Sequence, residues 1–407
     1  MTLGPDAGPP KSDATVDQAA PDAGGDAATG PRLLMTYAAT NGELVSYDVA
    51  GKAVAARATL PGYEETRKSA SDFFLLGEGS ADVVAKLAPG NPTSPIASWN
   101  VHLDDGFDGG EANANPVDIV ETAPTKAYVL RYNRNRIAVI DPSQSADGGA
   151  PVSTIDLSAL MQANDHDGHV DMTGAVFDAS RNRLYVALGN IDINLVDPQG
   201  FFLLCAGTQS TLIAVDTTND TLVNLGGSGP GGGVVLNGYS PQTGTFGGVV
   251  LDTAGDRVLV FSTGCNAPGS GDAGAGPLSG RLVEAVDLKT NQTTTLLDAS
   301  AQPYPGQLAY LDATHALIQF GFGAFSTTYA WDPTKSTLGA PFATTPDVFD
   351  LDGKGHFLGP QSTIASDGGA GPTNVIAVDV GDGGVAQLGQ NPFLQSAGFV
   401  GNATYVP

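Results

Sequence analysis

Seven copies of one apolar strand motif, hairpins spaced as sheets of four short strands require, and a composition crowded with turn residues together predict an all-β fold. The expected architecture is a β-propeller of seven four-stranded blades over residues 31–407, its ring closed by the C-terminal segment. The chain has 407 residues, 41% of them apolar, which suffices for a large core. It also carries 54 Gly and 27 Pro, punctuation that suits many short strands and disfavours long helices.

Residues 1–30 stand apart. The tract MTLGPDAGPPKSDATVDQAAPDAGGDAATG is almost wholly Pro, Asp, Ala, Gly, Ser and Thr, and Leu3 and Val16 are its only sizeable apolar side chains. Such a segment cannot bury enough surface to offset the entropy of ordering, so a disordered, acidic linker is expected. Its composition resembles the stretch that follows the lipidated cysteine in myxobacterial-type surface lipoproteins. That resemblance implies an extracellular, cell-surface or periplasmic protein with a lipid anchor on its full-length precursor, although neither the cysteine nor an export signal stands in this chain.

Beyond the linker, an apolar run ending in Asp or Asn recurs as LVSYDV (44–49), IASWNV (96–101), IAVIDP (137–142), LIAVDT (212–217), LVEAVD (282–287), TTYAWD (327–332) and VIAVDV (375–380). The markers are Asp48, Asn100, Asp141, Asp216, Asp287, Asp332 and Asp379. Four of their six spacings match the roughly 40–50 residues of a propeller blade, and the two longer ones imply insertions. Each marker is expected to end the third strand of its blade and to accept backbone N–H bonds in the next turn, a structural role.

Neighbouring strands fall in order. NPVDIVE, KAYVLRY, RIAVIDP and PVSTIDL read as the four strands of blade three, while GAVFDASRNRLYVAL (174–188) and GGVVLDTAGDRVLVF (247–261) are hairpins opening blades four and five. These hairpins, each followed by a strand of the Ile-Ala-Val-Asp kind, resemble the YVTN-type seven-bladed propeller repeat, with YVAL and YVLRY in the place of its name-giving residues. Blade one, read from 32–39, 43–49 and 53–60, is one strand short. FLQSAGFV (393–400) is expected to supply its innermost strand, with NATYV (402–406) left unassigned.

In this architecture the loops between strands two and three share a face with the links between blades. Both long insertions, 189–210 and 262–280, belong there, one carrying Cys205 and the other Cys265, and a disulfide between them is expected in an oxidising compartment. The link NDHDGHVDM (164–172) belongs there too. Asp165, Asp167 and Asp171 take positions one, three and seven of a calcium-type turn, and His166 and His169 alternate with them, which would favour a transition metal. Asp165, Asp167, His169 and Asp171 are therefore the candidate metal ligands, with calcium the cation the spacing suggests. Position twelve, which a calcium loop fills with Glu, is Val176. The acidic loop at Asp104, Asp105 and Asp108 is expected beside them on the binding face.

The formal net charge of −25 opposes binding to nucleic acid and to anionic lipid, and no apolar run reaches the roughly 20 residues that span a bilayer. There is no GxSxG or CxxCH motif, and GSGPGGG (227–233) lacks the lysine and helix of a phosphate loop. The innermost strands offer only Asp118 and Glu121 as acid–base groups. The sequence reads as a non-catalytic surface propeller binding a protein, peptide or glycan through its loop-rich face. A metal-dependent lactonase-, lyase- or hydrolase-like propeller and a structural subunit of an envelope assembly are the alternatives.

Overall fold

The computed structural model describes residues 30–407 except 39–41, 61–63, 71, 78–80, 89–90, 104–112, 145–147, 193, 196–203, 206, 267–278, 304, 322, 365–369, 382, 391 and 393–398. The linker, save Gly30, lies outside the described residues, as do Asp104, Asp105 and Asp108 of the acidic loop.

The strands fall into seven antiparallel sheets in a ring. Blade one holds β1 (Arg32–Ala38), β2 (Gly42–Asp48) and β3 (Ala53–Leu60). Blade two holds β4 (Glu64–Ser69), β5 (Asp72–Gly77), β6 (Val83–Ala88) and β7 (Asn91–Asn100), and blade three β8 (Pro116–Ala123), β9 (Lys126–Arg131), β10 (Arg136–Ile140) and β11 (Ser153–Asp156). Blade four has β12 (Met172–Asp178), β13 (Arg183–Leu188), β14 (Thr211–Asp216) and β15 (Thr221–Val223), with the short β16 (Val234–Val235) also paired to β14. Blade five comprises β17 (Val249–Asp252), β18 (Arg257–Phe261), β19 (Leu282–Asp287) and β20 (Thr293–Asp298). Blade six comprises β21 (Pro305–Asp312), β22 (His315–Phe320), β23 (Thr327–Trp331) and β24 (Leu338–Pro341). Blade seven comprises β25 (Asp350–Leu351), β26 (His356–Ile364), β27 (Ala370–Asp379) and β28 (Val385–Gln390).

The last strand, β29 (Phe399–Val406), pairs with β1 and supplies the innermost strand of blade one. Ring closure by the C-terminus is thus observed, but the closing strand lies further along the chain than FLQSAGFV and includes the unassigned NATYV. Arg32 pairs with Val406 and Leu33 with Tyr405, so the first and last strands of the ring are locked in one sheet.

Strand residues alternate between the two neighbouring blades. Leu33 and Met35 of β1 pack toward blade seven with Val348, Leu358 and Val375, while Leu34 packs toward blade two with Phe73, Leu75 and Leu87. Every blade is sandwiched in this way, and seven apolar clusters fill the seven inter-blade spaces. Two-sided burial explains why central strands such as TLIAVD are apolar at nearly every position.

The marker residues behave as turn caps. Asp48 Oδ1 accepts the Gly51 N–H at 2.8 Å, Asp216 the Thr218 N–H at 2.8 Å, Asp287 the Thr290 N–H at 2.8 Å, Asp332 the Thr334 N–H at 3.0 Å and Asp379 the Gly381 N–H at 2.7 Å. Six of the seven mark the third strand of a blade. The exception is Asn100, which ends β7, the outermost strand of blade two, although its side chain caps a turn in the same way by accepting the His102 N–H at 2.8 Å. The third strand there is β6, VVAKLA, which carries no Asp at its end. DLDGKGHF is a hairpin turn between β25 and β26, in which Asp352 accepts the N–H groups of Lys354 and His356.

Candidate functional site

Two places gather chemistry-bearing side chains: the axis of the ring and the loop-rich face.

At the axis, polar side chains on the innermost strands reach across to the next blade. Asn402 of β29 accepts the Thr66 N–H at 2.9 Å and donates to the Thr66 carbonyl, so blade one grips blade two. Arg67 pairs with Asp118 at 2.7 Å between blades two and three, and Asp118 accepts the Ala175 N–H at 2.9 Å from blade four. Gln307 brackets Phe349 of blade seven, donating to its carbonyl and accepting its N–H at 3.1 Å, and Asp350 accepts the Tyr405 N–H at 2.7 Å. Burial pushes the Asp118 carboxyl upward, against the opposing pull of Arg67 and the backbone N–H groups of Ala175 and Ile119. Glu121, the other axial candidate, is raised to about 7 by burial and by Asp72, and sits beside Ser69, whose hydroxyl accepts the Glu121 N–H.

The short 3-10 turn Gly244–Phe246, just before β17, lies inside this ring and touches β4, β8, β12 and β21. A methyl group at Gly244 would stand 1.8 Å from Asp118 Oδ2, and Phe246 packs against the apolar cluster between blades seven and one. Gln242 extends the same segment to blade six, donating to the Gly306 carbonyl at 3.0 Å. Nothing in the periodicity of SPQTGTFGG separates this plug from an ordinary inter-blade link.

On the loop-rich face, Cys205 and Cys265 form a disulfide with a Cα–Cα distance of 5.2 Å. The Cys205 N–H donates to the Asn266 carbonyl at 2.9 Å, and both cysteines pack with Ile191, Tyr239 and Tyr132. The two insertions are therefore joined covalently and by backbone pairing.

Beside them, the link 164–172 folds against the start of the blade-four insertion. The Gly189 and Asn190 N–H groups donate to the carbonyls of Asp171 and Val170, and the Ile191 N–H donates to Asp171 Oδ2 at 2.7 Å. Asp171 holds a left-handed backbone with φ of 49°, a conformation Asp tolerates better than most residues. Asp167, His169 and Asp171 are all buried, with one donor atom from each lying within 4.8 Å of the others. His169 Nδ1 is 3.0 Å from Asp167 Oδ1 and 3.5 Å from Asp171 Oδ1.

Asp165 adjoins the group, its Oδ1 3.4 Å from the Asp167 N–H. His166 does not join it, but turns outward to pair with Asp192 at 3.0 Å. Burial and then Asp167 and Asp171 push the Asp165 carboxyl up, and burial chiefly raises Asp171 to about 7. Burial acts to discharge His169, but its pairing with the Asp167 and Asp171 carboxylates outweighs burial and holds the imidazole at about 9. The Tyr132 hydroxyl is held well above its usual range by burial and by Asp171.

No protein-family model and no curated protein matches the chain. Solved structures do. A putative 6-phosphogluconolactonase from Bacteroides uniformis is 10% identical, with 92% of this chain and 99% of that one covered at a TM-score of 0.55. A functionally unknown protein from Desulfotomaculum acetoxidans is 10% identical, with 91% and 98% covered at 0.54, and a putative 6-phosphogluconolactonase from Bacteroides fragilis gives 10%, 94%, 100% and 0.52. At such identities the likeness is one of fold, and the chain is similar to these proteins as a seven-bladed β-propeller.

Proposed function

We propose that this chain is a non-catalytic binding propeller of an extracytoplasmic compartment, which receives a protein, peptide or glycan partner on its loop-rich face. The observation that carries this reading is Phe325, in the turn Gly323–Phe325 between β22 and β23, which is 73% exposed on that face. A bare aromatic ring on a rigid scaffold is the kind of anchor that dominates binding energy. The disulfide supports both the compartment and the rigidity of the neighbouring loops. The plug at Gly244–Phe246 supports the loop face over the axis, because it fills the space a channel-centred active site needs, and Asp118 is already engaged with Arg67 and Ala175.

The test is site-specific photocrosslinking in the native envelope, with the crosslinking residue placed at Phe325 or Gln209 on the loop-rich face and at Lys335 in a tight turn of the opposite face. A discrete adduct from the first two positions and none from the third is expected. Adducts from Lys335 alone, or from no position, would overturn the reading. Once the partner is known, Phe325→Ala is expected to weaken its binding at least about tenfold and to shift stability by less than about 0.5 kcal/mol, since the ring packs against little.

A further inference from the structure

The link between blades three and four and the loop leaving β13 enclose a set of donor atoms that the apolar packing between these blades does not use. We propose that Asp167, His169 and Asp171 bind a divalent transition metal of the zinc class, with Asp165 as fourth donor, and that the ion fixes the fold of the link between blades three and four beneath the loop-rich face.

The spacing fits a small ion. Donors held at 2.0–2.1 Å around a tetrahedral zinc stand roughly 3.3–3.5 Å apart, and here Nδ1 of His169 is 3.0 and 3.5 Å from its two carboxylate neighbours. A second observation points to a ligand. Asp171 is 0% exposed, and while Oδ2 is fixed by the Ile191 N–H, Oδ1 makes no well-formed hydrogen bond among the described residues, its neighbour being the His169 imidazole at 3.5 Å. The Ile191 bond leaves Oδ1 turned toward His169. Asp165 as a whole is half-buried, but its Oδ2 is enclosed and makes no hydrogen bond. Unmatched carboxylate oxygens out of reach of water are costly, and a dication offsets them.

The chemistry selects the class of ion. Calcium favours oxygen ligands, and a calcium loop uses the backbone carbonyl at its seventh position and a carboxylate at its twelfth. Here the seventh carbonyl, that of Asp171, is taken by the Gly189 N–H at 2.8 Å, and the twelfth residue is Val176. One imidazole among carboxylates suits zinc and its neighbours better. The three central side chains are nearly or wholly shut off from solvent, which is the character of a structural rather than a catalytic metal site.

The experiment uses the full chain stripped with a chelator and then titrated with zinc by calorimetry and with cobalt(II) by visible absorption. One ion per chain, a tetrahedral cobalt spectrum and a rise of about 5 °C or more in the thermal midpoint at saturating zinc are expected. His169→Gln and Asp171→Asn should each weaken zinc binding at least about tenfold. Should either variant misfold, anomalous scattering at the zinc edge from wild-type crystals still locates the ion, expected among these three side chains. The proposal is overturned by a stripped wild type that takes up no zinc, by undiminished binding in His169→Gln, by an ion found instead at exposed His166 or His356, or by calcium binding in preference to zinc.

Discussion

Asp118 shows how much of the ring depends on single side chains. Wholly enclosed, it accepts from Arg67, from its neighbour Ile119 and from Ala175, so one carboxylate spans three blades. The plug leaves it no room, since a methyl group at Gly244 would fall 1.8 Å from Oδ2. Gly244→Ala is therefore expected to lower unfolding free energy by about 2 kcal/mol or more, read from the denaturant midpoint, whereas a surface Gly→Ala would change little. Glu64 gives a second residue-scale expectation. Buried at 5% exposure, its carboxyl is pushed up by desolvation to about 8 from 4.5. The native state thus holds this proton more tightly than the unfolded chain does, so its contribution is complete below about pH 4.5 and is lost as pH rises through about 8. Thermal midpoints measured from pH 5 to pH 9 should fall more steeply in wild type than in Glu64→Gln, and parallel profiles would refute the assignment.

Among elements, the insertions of blades four and five behave as one unit. Their disulfide joins residues 60 apart in sequence. Closing a loop of that length removes about 4 kcal/mol of chain entropy from the unfolded state. Paired Cys205→Ser and Cys265→Ser substitutions are expected to reduce stability by a comparable amount in equilibrium unfolding, and reductant should do the same to wild type while leaving the double variant unmoved. The pairing is legible in the sequence because blade order assigns both insertions to one face. The hairpins of blades three to five are legible too, because their alternation and turn residues are strong. IASWNV is not, since an apolar run capped by Asn looks the same on the outer strand it forms as on a third strand. The metal-capable link was legible from Asp and His spacing, but Ile191, whose N–H fixes Asp171, sits 20 residues away and is brought in only by the fold. Nor did spacing show that His166 would turn outward to Asp192.

For the whole molecule, two-sided burial made the architecture legible, because a strand packed between two blades must be apolar almost throughout. The axial grips were not legible: Asn402, Gln307 and Asp350 are ordinary polar residues until the ring brings the next blade's backbone to them. Closure is the whole-molecule feature most open to test. Removing residues 399–407 deletes β29, exposes the edge of β1 and strips Asn402 and Tyr405 from their neighbours. The shortened chain is expected to lose cooperative unfolding and to aggregate, as circular dichroism and size-exclusion chromatography would report. A cooperative monomer would show that the other six blades hold the ring unaided.

The same closure sets an orientation. Arg32 lies opposite both Asp48 and Val406, at the end of blade one where the tight turn into β3 begins, so the chain enters the ring on the face away from the long insertions. Phe325, the disulfide-bound loops and the Asp–His link therefore stand on the far side of the ring from the point of entry, where the chain leading into β1 does not cover them.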